Sequence, residues 1–508
     1  MIGHKPRFER KEYHMNRSSL GKMATLLVFT MVIGTLTITL NVQPARSSSL
    51  TTIMVPDDYP TIQAAVTAAS PGETVYVRAG TYLENVVINK SISLVGQNAE
   101  NTTINGINGE DVVHITADGV NLTGFTICNG SSTGVSLDGA SGCNISENNI
   151  TANNSYGILF YSSSNSSVTS NNVTNNADGF YMASSSNGNN LNGNNVTNKA
   201  YGVYLVSYSN GNTVSGSNLS ANGAEGVYIA SYCSGNLIVK NNMTNNADGV
   251  NIASHSNGNV ISENNISANN NYGVLAYSLS YNNSIIGNEI TYNEEGVEFS
   301  TSYNDSVVGN NMNNTDCSLI LDSSSNDSIV SNNMVATYGD GIQLANSTSN
   351  SVNANNLTAN NANCVWLNSS SSNSLVGNNI TNSSVGIMLV GSSNNTFYDN
   401  NFIGNAQQVN SSTGSMNVWD NGSEGNYWSD YQTKYPNAIE VDSSGVWNSS
   451  YVIDGNNVDH HPLMNPAMIP EFTSPAILFM CMLAGLAATL ICCARRKHLQ
   501  TTKDRKRA

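Results

Sequence analysis

The sequence predicts an all-β chain built as a right-handed parallel β-helix. This is a solenoid of about 23 residues per coil, with a short N-terminal helical cap and a C-terminal transmembrane helix. Three observations predict it. First, an Asn-Asn-aliphatic phrase or a close variant, usually followed by Thr or Ser, recurs along the chain. Its aliphatic residue falls at Ile150, Val173, Val196, Leu219, Met243 and Ile266, then at Ile290, Met312, Met334, Leu357, Ile380 and Phe402, in steps of 22 to 24 residues. A fixed period of this size marks stacked supersecondary units. Second, each period carries two further apolar beats. One follows a glycine, as in Gly202-Val203-Tyr204-Leu205, and the other lies five residues before the anchor, as at Val168, Val214 and Val307, or six, as at Val260. Short alternating runs of this kind are half-buried strands. Third, charged residues are only 11% of the chain, against roughly 25% in an ordinary domain. Asparagine replaces them: 83 residues in all, 63 of them between Asn144 and Asn401. A polar tract without apolar rhythm would stay disordered. This one has the rhythm.

The elements follow in order. Residues 1–47 read as a signal peptide or N-terminal anchor: Lys5, Arg7, Arg10, Lys11, Arg17 and Lys22 precede an apolar run from Met23 to Leu40, and Ala45-Arg46-Ser47 offers a cleavage site. Residues 55–140 are the N-terminal cap and first coils. Ile62, Ala65, Val66 and Ala69 share one face of a helix that Pro71-Gly72 ends, and Thr74 to Gly96 supplies the first strands. Residues 141–410 are the repeat coils, three short strands each, stacked at roughly 4.8 Å into a rod of about 70 Å. Asparagines at equivalent corners are expected to form an internal amide ladder, each donating to one neighbour and accepting from the other. Aspartate is expected to be excluded from it by like-charge repulsion. In 411–465, Trp419, Tyr427, Trp428, Tyr431 and Tyr435 form an aromatic cap that closes the last coil. Residues 466–475 are a linker containing Pro470-Glu471-Phe472. Ala476 to Ala494 is long enough to span a bilayer, and 495–508 is a basic tail led by Arg495, Arg496 and Lys497. The positive-inside rule puts that tail in the cytoplasm and the rod outside.

Two end phrases carry a resemblance. Tyr59-Pro60-Thr61-Ile62-Gln63-Ala64-Ala65 looks like the opening of pectin-lyase-like β-helix proteins. Gly425-Asn426-Tyr427-Trp428-Ser429-Asp430-Tyr431, followed by the run from Tyr451 to Leu463 that contains Asp459-His460-His461, resembles the ending of the NosD family. That resemblance implies periplasmic copper binding tied to maturing nitrous oxide reductase. The family's usual acidic stretch between the two phrases is reduced here to Glu440 and Asp442. Pro470-Glu471-Phe472, an apolar span and a basic tail together resemble the sorting signals of archaeal surface proteins.

Function classes narrow in the same way. The net charge of −16 excludes nucleic-acid binding, which needs a basic stripe. Tyr181, Tyr204 and Tyr228 fall on consecutive coils and, flanked by carboxylates, are candidates for stacking sugar rings; stacked tyrosines that merely stabilise a sheet are the alternative. Glu225 and Asp248 on adjacent coils, roughly 5 Å apart, are the catalytic candidates of a retaining hydrolase. A lyase acting on uronates is disfavoured, because the 144–401 stretch holds two Lys, one His and no Arg. His460 and His461 are the candidate metal ligands. No cofactor is expected from the residues themselves, calcium and copper being the cations to consider. Asn172, Asn195, Asn242 and Asn356 head Asn-x-Ser/Thr sequons and are candidate glycosylation sites. The expected partners are membrane lipid through the C-terminal helix, and glycans or envelope components. The reading is a cell-surface rod acting as envelope component, adhesin or carbohydrate binder, with a polysaccharide hydrolase or lyase and a copper-binding accessory protein as alternatives.

Overall fold

The computed structural model describes residues 51–469, apart from 108–110, 336–337, 359–360 and 413. The segment 1–47, the Pro470-Glu471-Phe472 tripeptide, the span 476–494 and the tail 495–508 lie outside the described residues. Among the described residues no helix is long and apolar enough to cross a membrane.

Because each period holds three apolar beats, the chain turns three times per coil. Three parallel sheets of sixteen, sixteen and fifteen strands result. One coil runs through Ser167–Thr169 in the first sheet, Asn172–Thr174 in the second and Asp178–Ala183 in the third. The next coil repeats it in register, with Val168 opposite Leu191, Val173 opposite Val196 and Phe180 opposite Val203. Strand alternation sends one or two side chains per strand inward. Val168, Val173, Phe180 and Met182 are accordingly inaccessible to solvent. The core is a set of stacked apolar columns, and the period of the sequence is the pitch of those columns.

The amide ladder is present in several copies. In one, Asn148 Nδ2 donates to Asn171 Oδ1 and Asn171 Nδ2 to Asn194 Oδ1, both at 3.1 Å. The acceptor oxygen also takes the backbone N–H of the coil below, and the second amide hydrogen goes to a backbone carbonyl, as from Asn171 to Ile145 at 2.9 Å. A buried side chain thus uses nearly its whole hydrogen-bonding capacity. Parallel ladders run through Asn153, Asn176 and Asn198, and through Asn189, Asn212 and Asn236. The first Asn of each doublet is the inner one.

The exclusion of aspartate does not hold. Asp305 and Asp327 occupy adjacent rungs: Asn283 N donates to Asp305 Oδ1 at 2.6 Å, Asp305 N to Asp327 Oδ1 at 2.8 Å and Asp327 N to Asn350 Oδ1 at 2.9 Å. Each is 1% exposed. Burial pushes both carboxyl groups up to about 7, so near neutrality each carries its proton about half the time and the repulsion between the rungs is reduced.

Both ends are covered. The first rung begins earlier than the sequence indicates, at β1 (Thr52–Val55), which pairs with β2 (Thr74–Val77). Helix α1 (Ile62–Ala68) buries Ile62, Ala65 and Val66 against the first coil. Its N–H groups at Ile62 and Gln63 donate to the two Glu84 carboxylate oxygens at 2.9 Å, and Lys90 Nζ donates to the carbonyls of Thr67 and Ala69 at 2.6 and 2.8 Å. A carboxylate at the helix start and an ammonium at its end both complement the dipole. At the far end Trp419 and Trp428 stack on the last core rings, Phe397 and Phe402, at 4.4 and 4.3 Å. Asp459 Oδ2 accepts from Trp428 Nε1 and Asn426 N at 2.8 Å, and Asn457 Oδ1 accepts from Trp419 Nε1 at 3.1 Å. The two closing phrases of the sequence are therefore one physical unit.

Candidate functional site

The outer face of the third sheet gathers the aromatic and acidic residues that the core does not use. Tyr181, Tyr204 and Tyr228 are register neighbours there, as the sequence predicts. Tyr156 and Tyr201 join them. Tyr156 and Tyr181 stack at 4.5 Å, Tyr204 and Tyr228 at 4.9 Å, and Tyr181 meets Tyr204 edge-on at 5.1 Å. Much of each ring face is thus covered by another ring, leaving edges and hydroxyls outward. Burial raises the hydroxyl pKa values, that of Tyr204 to about 12.

Glu225 and Asp248 stand beside this stripe, bridged by one amide: Asn251 Nδ2 lies 3.4 Å from Glu225 Oε1 and 3.2 Å from Asp248 Oδ2. Asp248 is 6% exposed, and its other oxygen accepts from Asn271 Nδ2 at 3.2 Å and Tyr272 N at 3.3 Å. The pair ties the stripe to the coil beneath.

Two coils further on, the same face opens into a groove of about 440 Å³ lined by Glu295, Asp316, Asp340, Gln343, Asn363 and Trp366, with no Lys, Arg or His on its wall. Trp366 sits between Gln343 and Met388 in the sheet register, half-buried. Among the described residues no aromatic ring stacks on it. Trp366 is thus an aromatic side chain on the groove wall that no other ring covers. Asp340 Oδ1 accepts from Asn363 Nδ2 at 2.8 Å. Burial first, and then the neighbouring Glu298, pushes Glu295 up to about 7, and burial raises Glu298 as well.

Sequence reasoning named Tyr181, Tyr204 and Tyr228 on this face but missed Trp366. The signal was there. Extending the column Tyr181, Tyr204, Tyr228, Asn251 coil by coil gives Leu275, Glu298, Ile320, Gln343 and Trp366.

His460 and His461 follow the last short strand, Val458–Asp459. His460 Nδ1 is 3.4 Å from Ser450 Oγ, and His461 Nδ1 makes an ion-pair contact of 3.2 Å with Asp420 Oδ1. Burial works against the Asp420 charge, yet the N–H groups of His460 and Gly422 hold its carboxyl below the usual range. Copper would call for a converging set of soft donors. Among the described residues no three His, Cys, Asp or Glu side chains come together, and Met464 packs against the core. Cys128, Cys143, Cys233, Cys317 and Cys364 are all unpaired with one another. The residues present do not fit a copper centre.

The sequon residues Asn172, Asn195, Asn242 and Asn356 are the outer members of their doublets. Each gives its amide nitrogen to the preceding coil, to Asn149, Asn172, Asn218 and Asn333, at 2.7–2.8 Å.

Comparison with known proteins places the fold. A family model described as periplasmic copper-binding protein (NosD) matches residues 66–257 and 295–433, and one described as right handed beta helix region matches 200–335. No curated protein matches the sequence. Among solved structures, the pre-mature bacteriophage phi29 gene product 12 is similar with a TM-score of 0.52 at 17% identity, covering 77% of this chain and 59% of that one. An alginate lyase from Paenibacillus sp. str. FPU-7 has a TM-score of 0.43 at 17% identity, covering 47% and 94% of the two chains. The Dettilon tailspike protein has a TM-score of 0.44 at 16% identity, covering 60% and 67%. At these identities the likeness is one of fold alone.

Proposed function

The chain belongs to the NosD family of right-handed β-helix proteins, and from that premise we propose that it is an exported rod which binds a glycan chain along the outer face of its third sheet. The family's periplasmic description fits export. Anchoring through 476–494 with the tail 495–508 in the cytoplasm, a signal in 1–47 and an archaeal surface with Pro470-Glu471-Phe472 as sorting segment belong to the same reading. Loss of membrane sedimentation on deleting 476–494 tests the anchor.

The observation that carries the binding reading is the groove at Trp366. A pyranose presents an apolar C–H face that suits an unstacked indole, and its hydroxyls suit carboxylate and amide acceptors such as Asp340 and Asn363. The acidic wall repels uronates, so the expected ligand is a neutral or amine-bearing glycan. Tyr181, Tyr204 and Tyr228 extend the same track with hydroxyls and ring edges. On a glycan array, Trp366→Ala is expected to lower affinity at least tenfold. Tyr204→Ala combined with Tyr228→Ala is expected to weaken it less. Unchanged binding by Trp366→Ala overturns the reading.

A second reading, polysaccharide hydrolysis, is favoured by one observation, the Glu295 carboxyl on the groove wall, which burial and Glu298 push up to about 7. A carboxylic acid protonated near pH 7 is suited to general acid catalysis. Release of reducing ends, abolished by Glu295→Gln while binding persists, would convert the binder into an enzyme. A copper-maturation role is not proposed, because the donor set does not support it.

A further inference from the structure

On one corner of each of the twelve coils from Gly142 to Asn394, two residues before the first-sheet strand, the backbone passes through the left-handed region. Gly142, Gly188, Gly211, Gly235 and Gly258 hold this corner on five coils, with φ of 63° to 67°. On five others it is Asn165, Asn282, Asn304, Asn326 and Asn394, with φ of 56° to 61°. Ser349 and Ser372, followed by Ser351 and Ser374, complete the column. The left-handed conformation explains why the corner is Gly or Asn. It does not explain the side chain that enters the strand beyond the corner. After the five asparagines the residue two positions on is always a hydroxyl: Ser167, Ser284, Ser306, Ser328 and Thr396. After the five glycines it is Asn144, Asn190, Thr213, Leu237 and Val260, a hydroxyl once.

The bonding of the acceptor amide separates these sequons from the strand sequons. All five corner asparagines are exposed. Their amide nitrogens make no bond to a neighbouring coil among the described hydrogen bonds. Asn326 reaches only its chain neighbour Ser325, at the 3.5 Å limit. Asn172, Asn195, Asn242 and Asn356, by contrast, lie in extended strands with coils above and below, their nitrogens already committed. A transferase must engage the acceptor amide and the hydroxyl two residues on, which a protruding turn permits and a paired strand does not.

We propose that Asn165, Asn282, Asn304, Asn326 and Asn394 are N-glycan acceptors of this protein, and that the strand asparagines Asn172, Asn195, Asn242 and Asn356 are not. The Nδ2 atom attacks the anomeric carbon of a lipid-phosphate-activated oligosaccharide. The N–C1 bond forms, the bond from C1 to the phosphate oxygen breaks, the lipid phosphate leaves, and the amide proton passes to the transferase. Asn282, Asn304 and Asn326 lie on consecutive coils about 4.8 Å apart, so Asn304, crowded on both sides, is the least occupied. Asn165 and Asn394 are the most.

The proposal rests on export and not on the glycan-binding reading, so array binding can fail without touching it. The test sends the full chain through the secretory route of an N-glycosylating host and maps glycopeptides by mass spectrometry on the protein recovered outside the cell. Sugar on the corner asparagines, absent from the four strand asparagines, is the expected result. Substituting the five with glycine, which the same column uses elsewhere, should remove the sugar at these five positions without unfolding. Ser167→Ala should clear Asn165 while leaving the asparagine in place. Corner asparagines bare in the exported chain, or sugar on Asn172, Asn195, Asn242 or Asn356, overturns the proposal.

Discussion

A buried asparagine here satisfies three neighbours at once, and so the loss of one is felt on two coils. Asn264 Oδ1 accepts from the backbone and amide nitrogens of Asn241 at 2.8 and 3.1 Å, and its own amide donates to Asn288 at 3.0 Å and to the Ile238 carbonyl at 2.9 Å. Truncation to Ala leaves buried donors orphaned, each costing about 1–3 kcal/mol. Asn264→Ala is therefore expected to destabilise by roughly 3 kcal/mol, read as a lower urea midpoint. The two aspartate rungs make a sharper case. Their folded pKa of about 7 lies above the ordinary 3.8, so the folded state holds protons that the unfolded chain releases. Stability is then full below about pH 4 and falls as pH rises toward 7. Asp305→Asn with Asp327→Asn should flatten that decline in thermal melts taken from pH 5 to 8; an unchanged slope would show the carboxyls are not its source. The ladder itself was legible in the Asn doublets. Its tolerance of aspartate was not, because repulsion between charges was the premise and burial reduced the charge.

At the scale of elements, the ends show how two distant phrases become one contact. A Cβ on Gly425 would stand 1.9 Å from Asp459 Oδ1, so the glycine is required by close approach and not by its backbone angle. Gly425→Ala must push Asp459 away from Trp428 Nε1 and Asn426 N. Asp459→Ala removes the same two bonds without the clash. Both variants are expected to expose the Trp419 and Trp428 stack, seen as a red-shifted tryptophan emission and a lower melting temperature, with Gly425→Ala at least as severe. An unshifted emission from both would mean the cap is held by ring stacking alone. The aromatic cluster was legible from composition at the chain's end, but the bridge was not, since nothing in the spacing links residue 425 to residue 459. The groove was half legible for a related reason. Its column could be counted forward to Trp366, but that no described ring covers it depends on Gln343 and Met388 being its sheet neighbours. The Asn251 amide that meets both Glu225 and Asp248 could be placed only by the pleat.

Across the whole molecule, each coil touches only the coils next to it, and stability is close to a sum over coils and their interfaces. Excising residues 241–263 tests this directly. The cut joins Lys240 to Asn264, replacing Asn241-Asn242-Met243 by Asn264-Asn265-Ile266. Ser217 N, which donates to Asn241 Oδ1 at 3.0 Å, then meets Asn264 Oδ1 in the same role, and Asn218 meets Asn265. Every inner column closes up by one rung, both caps are untouched, and the groove between Glu295 and Met388 lies wholly downstream. The shortened rod should fold, keep its β-sheet circular dichroism and bind the same glycan with unchanged affinity. Excising half that length, 241–252, instead joins Lys240 to Ala253, removes the strands Asn242–Thr244 and Val250–Ile252, and brings the first-sheet strand Val260–Ser262 to where a second-sheet strand belongs. Inward apolar and outward polar positions then fall out of phase on every later coil, and the chain should aggregate. If the whole-coil deletion fails as badly as the half-coil one, the interfaces between coils are not interchangeable, and the ladder of asparagines is specific to its register and not merely periodic.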